Sequence, residues 1–424
     1  MAELQEFEKS LILTKASLLI SGIDVTNVHK KRVLVQYIFY FNFLWLYSDV
    51  FGEFYWLLDG VRTGKSFDEL LMIVPCTAIC FLGTVRTAPL YFNNGLLVSI
   101  LDKLREIHPI SEYKGNEGKL KNKRKDNTNK RKDNTNKRKD SESKDFDKSE
   151  RKKLKRATKA LYNVLFIMVT ANTSVIIAFC FLPLLLMALD YQKNGETELK
   201  LPFLVKYFFD PFTGTTWPFV YLHHIWSTII VVINLFGSDT FYHAFCIYLR
   251  MHFEMLCQHI EKVVTDSKME TEKRLRNCVL RHQELIVLVE QMEQLYSNSF
   301  LFNIIMSSVL ICLGGFNIAV SFFGPVFAYS NFLLMCLYQI YMLCFFGDMV
   351  LTSVNIFINY SHSIWPFNYL KRYIHSKSLF LLFLRSQKPC SMTAAKFATM
   401  NLSAFTTILS RSWSYFALLR TIYN

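Results

Sequence analysis

LVQYIFYFNFLWLYSDVFGEFYWLL, residues 34–58, runs for 25 residues without a lysine or arginine, and Asp49 and Glu53 are its only charged side chains. A helix of about 20 mostly apolar residues crosses the roughly 30 Å hydrocarbon layer of a bilayer, so this run is long enough to span. Apolar and aromatic side chains occupy every face of it, which is not the pattern of a helix on a water-soluble surface. Six further runs of this kind lie at 69–92, 161–189, 216–246, 299–323, 326–358 and 393–419. Of all 424 residues, 51% are hydrophobic and 15% aromatic, more apolar material than one water-soluble core requires. The chain reads as an all-α membrane protein with seven transmembrane helices.

Lys and Arg set the orientation. With a cytosolic N-terminus the inner segments carry 40 of them and the outer loops 5. Without the 18 in residues 119–156 the ratio is still 22 to 5. The N-terminus is therefore expected in the cytosol and the C-terminus outside, with long helices extended into a cytosolic anchor bundle. MAELQEFEKS is acidic where a signal peptide is basic, so the first span is expected to act as its own insertion signal. The sequons at Asn172, Asn359 and Asn401 fall within spans or at their inner ends, and no N-glycan is expected. None of the ten cysteines lies in an outer loop, so they are expected to be reduced.

Residues 123–143, KRKDNTNKRKDNTNKRKDSES, repeat a seven-residue unit that lacks the apolar a and d positions of a coiled coil. Its Asn, Thr and Asp favour turns, so residues 115–156 are expected to be a disordered insertion in a cytosolic loop. Residues 119–156 supply +11 of the formal +14 charge, which removes the case for a nucleic-acid partner. The tract reads as a tandem expansion that a loop tolerates, the alternative being a weak hold on anionic inner-leaflet lipids. Deleting residues 121–143 is expected to leave function intact; loss of function in a variant that still reaches the surface would give the tract a role. At 150–166, ERKKLKRATKALYNVLF resembles a helix start with its basic face along the headgroups.

Beyond the spans, Leu249, Phe253, Leu256 and Ile260 continue a helical apolar spacing past the fourth, and 274–296 does the same before the fifth. The segment 379–387, LFLLFLRSQ, is a third candidate for the anchor, and Pro389 is expected to break the chain before the last span. No nucleotide-binding, zinc-protease or nucleophile-elbow motif occurs, so no catalytic residue, cofactor or enzyme activity is expected. His243, Cys246, Cys257 and His259 offer metal-ligand chemistry on one helix but lack paired Cys-x-x-Cys geometry, and no metal site is expected.

Charges inside spans are the better leads. Asp49 and Glu53 share a helix face and read as carboxylates hydrated at the outer headgroups, with an acidic vestibule wall as the alternative. Asp348 is expected to pair within the bundle, and Arg411 to snorkel outward or ring a pore. Phe179, Phe181, Trp217, Phe219, Tyr221, Phe327, Tyr329 and Phe332 read first as interfacial belts. The second reading is an apolar pocket with sparse hydroxyls such as Thr77 and Tyr329, as a volatile lipid-like ligand would need.

The C-terminal third is more specific. GDMVLTSVNIFINYSHSIWPFNYLKRY, FLLFLRSQKPCSMTAAKF and NLSAFTTILSRSWSYFALLRTIY resemble the signature end of insect odorant receptors, including the Gly-Asp of the sixth helix and the Ser-Tyr-Phe near the terminus. FGEFYWLLDGVRTGKSFDELLMIVPCTAICFLG (51–83) and SWSYFALLRTIYN are similar to moth receptors, in particular the sex-pheromone branch. The resemblance implies an odorant-gated nonselective cation channel that passes monovalent and divalent cations. It implies a heteromeric tetramer with the shared odorant receptor co-receptor, multi-pass in the plasma membrane of olfactory sensory neuron dendrites, surrounded by membrane lipids. The volatile ligand would sit in an outer-half pocket taking Thr77, Cys80, Phe81, Phe179, Leu182, Tyr221, Ile225, Tyr329 and Phe332. Leu418, Thr421 and Ile422 would form the pore gate. Arg420 and the missing long insertion of the co-receptor mark this chain as the tuning subunit.

On this reading residues 1–33 are the cytosolic N-terminus, 34–114 helices one and two, 115–156 the repeat tract, 157–246 helices three and four and 247–298 anchor helices. Residues 299–358 are helices five and six, 359–392 an anchor segment, and 393–424 the pore helix and outer terminus. A gustatory receptor shares this architecture and is the near rival. A G-protein-coupled receptor has the inverted orientation and D-R-Y and N-P-x-x-Y motifs absent here, and a transporter would usually show internal repeats.

Overall fold

The computed structural model describes residues 2–25, 29–108, 133–195, 198–263, 267–320, 323–363 and 390–423. Two short helices, α1 (Ala2–Ser10) and α2 (Ile12–Ile20), precede α3 (His29–Arg62), α4 (Phe67–Leu71), α5 (Val74–Phe92) and α6 (Asn94–Glu106). Then come α7 (Asp133–Ile176), a π turn (Ile177–Phe181), α8 (Leu182–Asn194), α9 (Trp217–Glu261), α10 (Lys268–Val320) and α11 (Phe323–Ser363). A hairpin of β1 (Thr393–Ala394) and β2 (Ala398–Thr399) leads into α12 (Leu402–Tyr423).

Five helical stretches are long and apolar enough to cross a membrane: Glu69–Phe92, Lys148–Asn194, Trp217–Glu261, Met269–Ala319 and Tyr329–Asn359. The first and last expected spans correspond to α3 and α12, of 34 and 22 residues. Both are long enough but less apolar by composition. Tyr and Trp dilute α3, whereas Ser, Thr, Arg411 and Arg420 dilute α12.

At 1.5 Å per residue, the 45 residues of α9 extend about 68 Å and the 53 of α10 about 80 Å, far beyond one hydrocarbon layer. Their excess length builds a second packed region. Leu249, Phe253, Leu256 and Ile260 of α9 are buried with Leu275, Leu285, Val289 and Met292 of α10. Phe7, Leu11 and Leu18 of α1–α2 and Leu97, Leu101 and Leu104 of α6 join the same core. Tyr248 of α9 shares a 2.7 Å hydrogen bond with Ser10. Burial raises the Glu8 carboxyl, but hydrogen bonds from Lys15 and Arg105 outweigh it and hold it below the usual carboxylate range.

Two differences from the sequence expectation have physical causes. Residues 133–156, expected to be disordered, belong to α7, which begins at Asp133; residues 115–132 and the anchor candidate 379–387 lie outside the described residues. Leu154, Ala157, Leu161, Leu165 and Met168 form a buried stripe that anchors α7, and adding residues to an existing helix avoids the nucleation step. At the other end, 393–399 is a hairpin rather than the first turns of the last span. Ala395 and Lys396 have φ of 48° and 63°, a left-handed pair that turns the strands, and the Ser297 hydroxyl donates to the Thr393 carbonyl at 2.9 Å.

Gly347 of α11 explains the Gly-Asp pair. A Cβ there would lie 2.3 Å from the Met400 carbonyl oxygen, so α11 and the entry to α12 touch backbone to backbone. Gly347→Ala is expected to separate them and lower the melting temperature in detergent. An unchanged melting temperature would show that the contact is dispensable.

Among the described residues none of the ten cysteines is joined in a disulfide, and Asn172 is a buried residue whose side-chain amide donates to the Met168 carbonyl at 2.7 Å.

Candidate ligand cavity

Four long helices and the segment before α9 enclose a cavity of about 80 Å³. α3 contributes Leu46, Asp49 and Glu53; α5 contributes Cys76, Ile79 and Cys80. α9 presents Ser227, Thr228 and Val231, and α11 presents Tyr329, Phe332 and Met335. Phe179 enters from the π turn and Phe203 from the segment that covers α3. Pro183, near the start of α8, has no N–H for the Phe179 carbonyl, which breaks the regular ladder before it and re-aims Phe179. The Cys180 carbonyl is taken instead by the Tyr221 hydroxyl at 2.7 Å.

The lining is apolar apart from a few groups, and most of these are already engaged. Glu53 accepts from the Thr77 hydroxyl at 2.7 Å, and Thr228 donates to the His224 carbonyl at 2.8 Å. The Ser227 hydroxyl is buried without a hydrogen-bond partner. An unpaired hydroxyl in an apolar enclosure costs about 1–3 kcal/mol, and a ligand oxygen can recover that.

The family described as "7tm Odorant receptor" matches residues 120–412. The chain belongs to the insect odorant receptor family. It is 25% identical over 430 residues to putative odorant receptor 92a of Drosophila melanogaster, covering 99% of this chain and 95% of that protein. It is 30% identical over 278 residues to odorant receptor 13a of the same fly, covering 61% and 66% of the two chains. The olfactory receptor OR5 of Machilis hrabei, solved in complex with eugenol, superposes with a TM-score of 0.75 at 16% identity, over 99% of this chain and 98% of that one. A second structure of the same receptor gives 0.74 over 98% and 99% of the two chains, at 16% identity. The fold is the seven-helix one of these receptors, and the chain is a receptor, not an enzyme.

Of the residues expected at the receptor's pocket, Cys80, Phe179, Tyr329 and Phe332 line the cavity. Thr77 is turned to Glu53, and Tyr221 to the backbone of the π turn. Phe81 is 40% exposed and faces outward against Tyr47, while Leu182 and Ile225 are half-buried and do not line the cavity. Ser227, Val231, Leu46 and Phe203 line it but were not anticipated.

Two readings of charged residues are corrected. Asp49 and Glu53 are not hydrated at headgroup level: they are 4% and 3% exposed, because Phe203 to Tyr207 fold over α3 and Lys206 N–H donates to the Gly52 carbonyl at 3.1 Å. Asp348 forms no ion pair among the described residues; it faces a cleft also lined by Arg250 and Glu254, which pair with each other at 2.9 Å. Arg411 is exposed on α12. His243, Cys246, Cys257 and His259 do not converge. His243 stacks on Phe346 at 4.3 Å, and His259 lies 3.2 Å from Glu150.

α12 packs through Ile408 and Ser412, whereas Leu418 and Ile422, nearer its end, are 59% and 69% exposed and Thr421 is exposed beside them.

Proposed function

We propose that this receptor is the tuning subunit of an odorant-gated, nonselective cation channel, assembled with the shared co-receptor as a heteromeric tetramer. It would work in the dendritic plasma membrane of olfactory sensory neurons, N-terminus inside and C-terminus outside. The 40 to 5 distribution of Lys and Arg supports that orientation. The observation that carries the ligand-gated reading is the apolar cavity with one unpaired hydroxyl, Ser227.

An alcohol, aldehyde or ester would set its oxygen on Ser227 and its hydrocarbon against Phe179, Phe332 and Val231. At about 80 Å³ the cavity is roughly half the ~150 Å³ that holds benzene in a dry engineered core, so a ligand must widen it. A ligand that fits only the widened cavity favours that state by its difference in affinity for the two. α11 carries Tyr329 and Phe332 at the cavity and Gly347 at the entry to α12, which gives widening a continuous route toward Leu418 and Ile422. The small volume favours a compact volatile over a long-chain sex pheromone.

Co-expression with the co-receptor and current recording test this, using compact plant volatiles beside fatty alcohols, aldehydes and acetates. Ser227→Ala is expected to raise the half-maximal concentration of an oxygenated agonist about 2- to 10-fold, the worth of one neutral hydrogen bond, and to leave a matched hydrocarbon unchanged. Silence to every compound with both subunits at the surface would reject the channel reading. Responses confined to long-chain acetates would restore the pheromone.

A further inference from the structure

At the edge of the cavity, where α9 meets α3, Asp49 of the lining and two histidines outside it bring three metal-ligating side chains to one point. His223 Nδ1 lies 2.9 Å from Asp49 Oδ1, and His224 Nε2 lies 3.6 Å from the same oxygen. One donor atom from each of the three falls within 4.8 Å of the others. We propose that Asp49, His223 and His224 form a binding site for a divalent transition metal, with zinc the ion that fits best.

The ligand geometry supports this. Zinc holds nitrogen and carboxylate oxygen at about 2.0–2.2 Å, so two ligands at a tetrahedral angle stand roughly 3.3–3.5 Å apart. The two separations from Asp49 Oδ1, 2.9 and 3.6 Å, bracket that spacing, and the two imidazole donors, within 4.8 Å of each other, would close onto the ion by ring rotation. A soft-to-borderline ion with two imidazoles and one carboxylate is the zinc and copper pattern, not that of calcium or magnesium, which need many oxygens.

The carboxylate at this point is also short of positive charge. Asp49 is 4% exposed, and among the described residues its carboxylate meets His223, His224 and the Tyr207 hydroxyl, none of them a fixed cation. His223 Nδ1 approaches it without forming a hydrogen bond. A buried carboxylate left this way is expensive unless something cationic meets it. Around the three, outer contacts orient the rings as they do in metal sites. The Ser48 hydroxyl lies 3.0 Å from His223 Nε2, which places the ring proton there and frees Nδ1 for the metal. The ring itself stacks on Trp45 at 4.8 Å. The Tyr207 hydroxyl lies 2.8 Å from His224 Nε2 and can serve as fourth ligand or yield to water. Glu53 is excluded from the set because it is held by Thr77. The His223 side chain is 23% exposed and offers a route in for the ion.

A bound ion would tie α3 to α9 directly across the cavity wall, so a metal-loaded receptor would resist the widening that a ligand needs. The bland alternative is an Asp–His clamp between the two helices that takes no metal.

The two are separated by direct binding of the metal alone, which depends on neither orientation nor channel assembly. The full chain, solubilised in detergent and monodisperse on gel filtration, is titrated with cobalt(II) and then zinc(II). One cobalt per chain is expected, with the visible absorption of a four-coordinate site, displaced by zinc. His223→Gln should lose this uptake, with at least a tenfold weaker apparent affinity. His223→Cys should keep it and add the near-ultraviolet thiolate-to-cobalt band, which shows that a correctly folded variant is being read. No cobalt uptake by the wild-type chain overturns the site, as does equal uptake by wild type and His223→Gln.

Discussion

Arg86→Ala is expected to remove most of the receptor from the cell surface, while Arg86→Met combined with Asp239→Leu returns it. Arg86 on α5 is 2% exposed and Asp239 on α9 is 3% exposed, and one guanidinium nitrogen donates to both carboxylate oxygens. Gln339 of α11 adds a bond to the same carboxylate at 3.1 Å. Truncating one partner leaves a buried charge unmatched, which costs about 3–5 kcal/mol, against a total stability on the order of 5–15 kcal/mol for a domain. Replacing both partners with apolar side chains of similar size removes the charge along with its need for a partner, and such exchanges are often neutral or stabilising. Surface biotinylation and the melting temperature in detergent read both variants. A surface level and melting temperature of Arg86→Ala equal to the wild type would mean that the pair is not holding α5, α9 and α11 together. The recovered double variant has a second use. Asp239 and Gln339 lie one helical turn past Leu235 and Met335 of the cavity lining, so if the ion pair also sets the rest position of those helices, agonist sensitivity will shift even though the fold has returned.

Which parts of this fold were legible depended on whether they are local. The runs at 69–92, 161–189, 216–246, 299–323 and 326–358 each declare a span by composition, and each coincides with a helical stretch apolar enough to cross. The shared face of Asp49 and Glu53 was equally legible, being a matter of i, i+4 spacing. Their burial was not, because it is imposed by Phe203 to Tyr207, some 150 residues away in sequence, folding over α3. Phe179 could be placed at the outer end of its helix, but its aim depends on the π turn that Pro183 provokes. Thr77 has the hydroxyl a pocket would use, yet Glu53 takes it first, and Ser227 one helix over is left free. Histidines 223 and 224 carried the one signal that went unread: an adjacent imidazole pair, two turns into an apolar helix, in a chain that also buries an aspartate. The hairpin at 393–399 was hidden because TAAKFAT is apolar enough to pass as helix, and only the left-handed Ala395 and Lys396 reveal the turn.

Leu418→Ala combined with Ile422→Ala is expected to produce a standing cation current without odorant. The two side chains stand one turn apart on α12, and they are exposed beyond the stretch that packs through Ile408 and Ser412. Lipid can cover such groups, and equivalent helices around a shared axis would instead gather them into one ring. Aliphatic rings of this kind close a pore by expelling water, without a charge to repel ions. Removing a buried leucine or isoleucine to alanine forfeits about 2–5 kcal/mol of closed-state contact, and 1.4 kcal/mol is already a factor of ten in the open-to-closed ratio. The basal conductance should therefore rise at least about tenfold at equal surface density, and agonist should add little to it. Thr421 lies beside the pair, and Thr421→Val makes the opposite change: it keeps the shape, deletes a hydroxyl and should lower evoked current by drying the constriction further. If the double alanine variant reaches the surface with the co-receptor and leaks no more than the wild type, the gate lies elsewhere along α12, and exposed Trp413 and Tyr415 on the same helix become the next residues to replace.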